Sequence, residues 1–164
     1  MDKVKVIFGS TTGSTESAAQ QIAAMFGVEP VNIANASASD FDAELLVLGT
    51  STWGLGELQD DWIAGVSLLD AADLKGKKVA VFGMGDQNGF CDTYCDAMGL
   101  LAQKAEAQGA EIVGQTSTAG YSHTSSVADH GGTFCGLALD DSNEPEKTAE
   151  RIAGWIETLK RQGV

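Results

Sequence analysis

A chain of 164 residues, 43% of them hydrophobic, can bury one substantial core and has no room for a second, so residues 1–164 are expected to form a single domain. Ten basic residues against 23 acidic ones leave a formal net charge of −13, which argues against nucleic acid or an anionic membrane as a partner and for electropositive proteins. Hydrophobicity is too high for disorder, no stretch is of membrane-spanning length, and the chain starts without the regions of a signal peptide, so a soluble, cytoplasmic protein is expected.

The first apolar run is Val4–Phe8. The turn Gly9-Ser10-Thr11-Thr12-Gly13-Ser14-Thr15-Glu16-Ser17 joins it directly to a helical pattern at Ala18, Ile22, Met25 and Phe26. Backbone N–H groups in such a turn have no partners of their own, so they can converge on an anion, aided by the helix dipole and the hydroxyls. The alternative is a helix start with redundant capping hydroxyls. No Lys or Arg lies between Gly9 and Phe26, which argues against a Walker A loop, and the G-x-G-x-x-G fingerprint is missing too.

Further apolar runs cover residues 28–33, 45–48, 79–82 and 112–113, the last resumed at 134–139. Continuous runs suit strands covered on both faces. Helical patterns lie at Trp62, Val66 and Leu69, at Tyr94, Met98, Leu101 and Ala105, and at Ile152, Trp155, Ile156 and Leu159. Asp92 is a plausible cap for the third helix and Gly109 its stop. Residues 32–42 read as a loop or single turn. Residues 116–132, rich in Ser, Thr, Gly and His, interrupt the fifth strand, and a small strand is expected around residues 120–122. The alternation predicts an α/β fold, a parallel sheet with helices on both faces.

In an open parallel sheet, ligands bind beyond the carboxyl ends of the strands, so the turns after strands one, three and four matter most. The second of these runs Gly49-Thr50-Ser51-Thr52-Trp53-Gly54-Leu55-Gly56-Glu57-Leu58, and the third Gly83-Met84-Gly85-Asp86-Gln87-Asn88-Gly89-Phe90-Cys91-Asp92. Trp53 and Phe90 are candidates to sandwich a flat ligand. Trp53 could instead cover the sheet end, and Tyr94 competes with Phe90. Asp86 and Gln87 could present backbone N–H groups and side chains to a heterocycle edge, or form a polar turn that binds nothing. His123 and His130 read as surface residues and Cys135 as a small core residue. Cys91-x-x-x-Cys95 is neither a redox motif nor half of a zinc site. No nucleophilic triad, carboxylate pair or metal-spaced cluster emerges, so no catalytic or metal residue is expected.

Ser10-Thr-Thr-Gly-Ser-Thr15, Thr52-Trp53 followed by Gly56-Glu-Leu58, Gly85-Asp-Gln87 and Phe134-Cys-Gly-Leu-Ala-Leu-Asp140 together resemble flavodoxin along the whole chain, and the insertion resembles the long-chain subgroup. The resemblance implies a three-layer fold with a five-stranded parallel sheet of order 2-1-3-4-5 and an interrupted fifth strand. It implies non-covalently bound FMN, with Ser10, Thr11, Thr12, Gly13, Ser14 and Thr15 on the phosphate. Trp53 and Phe90 would cover the two ring faces, and Ser51, Thr52, Gly54, Gly85, Asp86, Gln87 and Asn88 would complete the site. Phe90 stands where the family usually has tyrosine. Ser142 and Glu144 depart from the family's motif after strand five, and no ligand role is carried onto that segment.

The function implied is a low-potential one-electron carrier, a monomer passing electrons from a flavodoxin/ferredoxin reductase-type donor to an acceptor oxidoreductase, and not an enzyme. A stabilised neutral semiquinone is expected, its N5 proton accepted by the Gly54 carbonyl. The rival is an FMN-dependent NAD(P)H or quinone oxidoreductase on the same fold.

Overall fold

The structure, a computed structural model, describes residues 3–53 and 56–163. β1 (Val4–Phe8) pairs in parallel with β2 (Val31–Asn32) on one side and β3 (Leu45–Trp53) on the other. β5 (Lys78–Met84) lies beyond β3, and β6 (Glu111–Val113) and β9 (Leu137–Leu139) share its far edge. The order is thus the expected 2-1-3-4-5, with the fifth position filled by two segments. β4 (Glu57–Leu58) adds an antiparallel pair to the end of β3, too short to show as a pattern in the sequence.

Successive strand residues point to opposite faces, and both faces are buried, which is why the runs are continuous rather than alternating. Ile7, Leu46, Leu48, Val79 and Val81 share one core with Trp62, Leu69, Met98 and Leu101. Those partners come from α2 (Asp60–Ala71) and α3 (Asp96–Ala107). Val6, Phe8, Leu45, Val47, Ala80 and Phe82 share the other with Ala19 and Ile22 of α1 (Ser14–Phe26) and Trp155 and Ile156 of α4 (Thr148–Arg161). The buried indoles among the described residues are satisfied, Trp62 Nε1 donating to the Gly49 carbonyl and Trp155 Nε1 to the Gly114 carbonyl, each at 2.7 Å. No helix among the described residues is long and apolar enough to cross a membrane.

Local chemistry shortened some expected elements. Gly27 ends α1 in the left-handed conformation (φ 70°), and the Val28 N–H returns to the Ala23 carbonyl. With Val28 committed there and Pro30 lacking an N–H, the run at 28–33 yields a strand only at Val31–Asn32. Residues 32–42 hold two short 3-10 turns, Ile33–Asn35 and Ala38–Asp42. Asp92 does not cap α3, because successive turns carry the chain on to Cys95, which takes the cap position in the left-handed region (φ 52°) without a side-chain cap bond. Gly109, at φ 98°, follows the end of α3 as expected.

The insertion does interrupt the fifth strand. Its own hairpin is formed by β7 (Thr116–Ser117) and β8 (Thr133–Phe134), not by residues 120–122. Gly120, at φ 88°, and the bond from the Tyr121 N–H to the Thr118 carbonyl make that segment a turn. Phe134 therefore belongs to the hairpin, and the main sheet resumes at Leu137. Between them a Cβ on Gly136 would lie 2.0 Å from the Val81 carbonyl oxygen, so the chain can re-enter the sheet there only as glycine.

Candidate functional site

Phe8 of β1 is level with Gly49 of β3, which is level with Phe82 of β5, so the turns after these strands leave the sheet side by side. The first turn uses its hydroxyls within the protein. Ser10 Oγ accepts from the Gly13 N–H at 3.1 Å, Thr15 Oγ1 meets Ser51 Oγ at 2.8 Å, and Thr11 Oγ1 accepts from Gln59 Nε2 at 3.0 Å. None of them caps α1, which starts behind Gly13 at φ 95° with no side-chain cap bond. The alternative of redundant capping hydroxyls is therefore not what the chain adopts. Among the described residues, the N–H groups of Thr11, Thr12, Ser14, Thr15 and Glu16 have no protein acceptor. A turn of free N–H groups at the positive end of a helix is a site for an anion.

The second turn follows Trp53, whose backbone closes β3 opposite Glu57. The Trp53 side chain and all of Gly54 lie outside the described residues, so the stacking and carbonyl roles expected of them are taken up only as proposals. The flanks are fixed. Thr52 Oγ1 accepts from the Ala97 N–H at 3.1 Å, at the start of α3. Gly56, at φ 93°, passes so close to Asp96 that a Cβ would lie 2.5 Å from the carboxylate. That carboxylate is 8% exposed and accepts from the Val127 N–H at 2.8 Å. Burial raises its pKa, partly offset by the Val127 bond.

In the third turn, the Gly85 N–H pairs with the Leu139 carbonyl. Asp86 Oδ1 accepts from the N–H groups of Gly89 and Asn88 and from Asn143 Nδ2. The Gly89 N–H above all, then Asn143, holds the Asp86 carboxyl below the usual carboxylate range. Phe90, whose N–H returns to the Asp86 carbonyl, is 53% exposed. Tyr94 is 1% exposed, its hydroxyl bound to the Leu139 carbonyl, so it is core and no rival to Phe90 for an exposed ring. Gln87 differs from expectation: at 2% exposure its amide is fully engaged with protein groups, so its side chain is not presented to a heterocycle.

Other residues around the site were missed in the sequence. Gln59, the N-cap of α2, reaches back to Thr11, and its place just before Asp60-Asp61 was the one available signal. His123 reads as a surface residue in the sequence, yet its side chain is 5% exposed. It lies among Phe134, Tyr94 and Tyr121, with Nε2 2.9 Å from Asp129. Tyr94 and Phe134 are distant in sequence, so no local pattern announces the cage. His130 is exposed, and all three cysteines are free, Cys135 buried.

The residues present fit the FMN that the resemblance implies. The first turn offers unpartnered donors, nothing lies within 4 Å of a Cβ built on Gly13, and an exposed aromatic stands on a neighbouring turn. The flavodoxin family model matches residues 6–155. A flavodoxin of Picosynechococcus is 47% identical, covering 98% of this chain and 97% of its own length. One of Trichodesmium erythraeum is 45% identical over 99% and 98%. The crystal structure of Fusobacterium nucleatum flavodoxin bound to flavin mononucleotide matches with a TM-score of 0.92 at 29% identity, covering 99% of both chains.

Proposed function

The chain belongs to the flavodoxin family, and from that premise we propose that it is a monomeric one-electron carrier holding FMN non-covalently in the three turns. The observation that carries this reading is the first turn, whose free N–H groups suit a phosphate without any Lys or Arg between Gly9 and Phe26. When bound, FMN supplies one-electron redox chemistry, and the protein's part is to set its energetics.

Ser10, Thr11, Thr12, Gly13, Ser14 and Thr15 would hold the phosphate, mainly by N–H groups. Ser51 and Thr52 brace that turn and α3 against the end of β3. Trp53 and Phe90 would cover the ring faces and exclude water. Asp86 would meet the ring edge through its N–H, and Gly85, Gln87 and Asn88, whose N–H groups are held by Leu139, Asp140 and Asp86, through their carbonyls. The Gly54 carbonyl would accept the proton of flavin N5, since glycine enters positive φ with little strain.

With no Lys or Arg between Gly9 and Phe26, the acidic residues of the neighbouring turns would oppose added negative charge at the ring and lower its potential. Anaerobic potentiometric titration of the purified protein tests cofactor and potential together. A flavin spectrum with two separated one-electron waves is expected. A colourless protein, or unaided turnover of NADPH with a quinone, would sink the reading.

A further inference from the structure

We propose that Glu144, acting through Gln87, is a positioning residue for the turn that carries Phe90. The proposal rests on the flavin reading above. The third turn contains Gly85 and Gly89, and its outward-facing aromatic has no core to pack against, so something other than packing must fix it. The Asp86 carboxylate ties the turn to itself through Asn88 and Gly89, and one buried amide ties it to the rest of the fold. The Gln87 N–H donates to Asp140 Oδ2 at 3.0 Å, Nε2 donates to Glu144 Oε1 at 2.6 Å, and Oε1 accepts from the Ser122 N–H at 2.7 Å and Ser122 Oγ at 3.2 Å.

Glu144 is fixed in its turn. Lys147 pairs with its other oxygen, and Arg151 Nη2 lies 3.0 Å from Oε1. The Arg151 guanidinium sits 4.3 Å from the centre of the Tyr121 ring, whose hydroxyl bonds the Ala138 carbonyl at 2.6 Å. Asn143 Nδ2 completes the clasp by bridging Asp86 Oδ1 at 2.7 Å and Asp140 Oδ2 at 2.8 Å. The third turn, the insertion, the turn after β9 and α4 thus meet at Gln87. The bonds to Asp86, Asp140 and Glu144 all end on carboxylates and are of the strong kind, but among the carboxylates of this set Glu144 is the one also paired with cations, Lys147 just before α4 and Arg151 within it.

Loosening that link should cost the ring end of the ligand and spare the phosphate end, which sits on α1. The full-length chain, stripped of flavin, is titrated with FMN, riboflavin and inorganic phosphate, alongside Glu144→Ala and Glu144→Gln. Glu144→Ala is expected to weaken FMN and riboflavin roughly tenfold, the equivalent of one charge-assisted hydrogen bond, with phosphate affinity unchanged. Glu144→Gln keeps a neutral acceptor for Gln87 Nε2 and should recover part of the loss. Unchanged riboflavin affinity in Glu144→Ala, a parallel fall in phosphate affinity, or no recovery in Glu144→Gln would overturn the proposal. An unsubstituted chain that binds no flavin would fail the flavin reading itself, a result distinct from any of these.

Discussion

Asp96 is a carboxylate that the fold buries with one donor among the described residues, the Val127 N–H, and its pKa is raised by that burial. A carboxyl whose pKa is higher folded than unfolded destabilises the fold while ionised, and the cost disappears as pH falls through its folded pKa. Asp96→Asn, which keeps the acceptor for Val127, should therefore raise the urea midpoint at pH 7 more than at pH 3. Equal shifts at the two pH values would refute this. Phe90 is the complementary case, an exposed ring with little to do in the fold. Phe90→Ala should cost little stability yet weaken flavin binding by about 1 kcal/mol or more, the worth of an aromatic stacking contact. Equal flavin affinity in the two proteins would count against the stacking role. The exposed aromatic and the hydroxyl-rich turn were legible in the sequence because they are local. Gln87, 57 residues from Glu144, was not, since its burial is decided by groups that only the fold assembles.

At the scale of elements, two glycines separate conformational from steric demands. Gly13 holds φ 95° with open space around it, so Gly13→Ala should cost only the left-handed penalty, about 1 kcal/mol. Gly136 has no such φ but faces the Val81 carbonyl at 2.0 Å, so Gly136→Ala should cost about 3 kcal/mol, as overpacking against rigid backbone does. Urea unfolding of both variants checks the ranking, and reversed costs would refute it. Strands buried on both faces and helices with an apolar stripe were readable from periodicity alone. The short β2 was not, because the end of α1 and Pro30 consumed its first residues. Nor was the β7 and β8 hairpin, whose pairing joins residues far apart in the chain.

At the scale of the whole molecule, the lysines where the strands begin are offset by Glu29, Asp42, Glu44, Asp73 and Glu111, while the opposite end is rich in acidic residues. Lys3, Lys5, Lys75, Lys77 and Lys78 precede or begin β1 and β5, while Glu57, Asp60, Asp61, Asp86, Asp92 and Asp96 follow β3 and β5. An electropositive partner should be drawn to the acidic end, so its electron-transfer rate should fall several-fold between low and physiological salt. A salt-independent rate would leave the acidity as mere solubilisation. Acid should act on the fold as well. Glu144 is held at about 2 by Lys147, then Arg151 and Gln87, and Asp40, Asp86 and Asp129 are lowered too. Groups with lowered values contribute stability above their unfolded pKa, near 4 to 4.5, and lose it as pH falls through the folded one. Unfolding free energy should therefore drop between about pH 4.5 and pH 2, less steeply in Glu144→Gln, and an equal slope in that variant would show the ion pairs to be idle.

The split edge of the sheet has a kinetic consequence. β6 can join β5 as soon as α3 has packed, because only the third turn and α3 separate them. β9 must wait for the intervening hairpin to close, a non-local contact with a larger chain-entropy cost. The third turn is tied to that late segment through Gly85 and Leu139, and the clasp of Gln87 and Asp140 lies just beyond it. Refolding should thus complete in two stages, with the amides of residues 85–90 and 137–139 gaining hydrogen-exchange protection after those of 78–80 and 111–113. The end of the molecule that meets the ligand would be the last to form and the first to open.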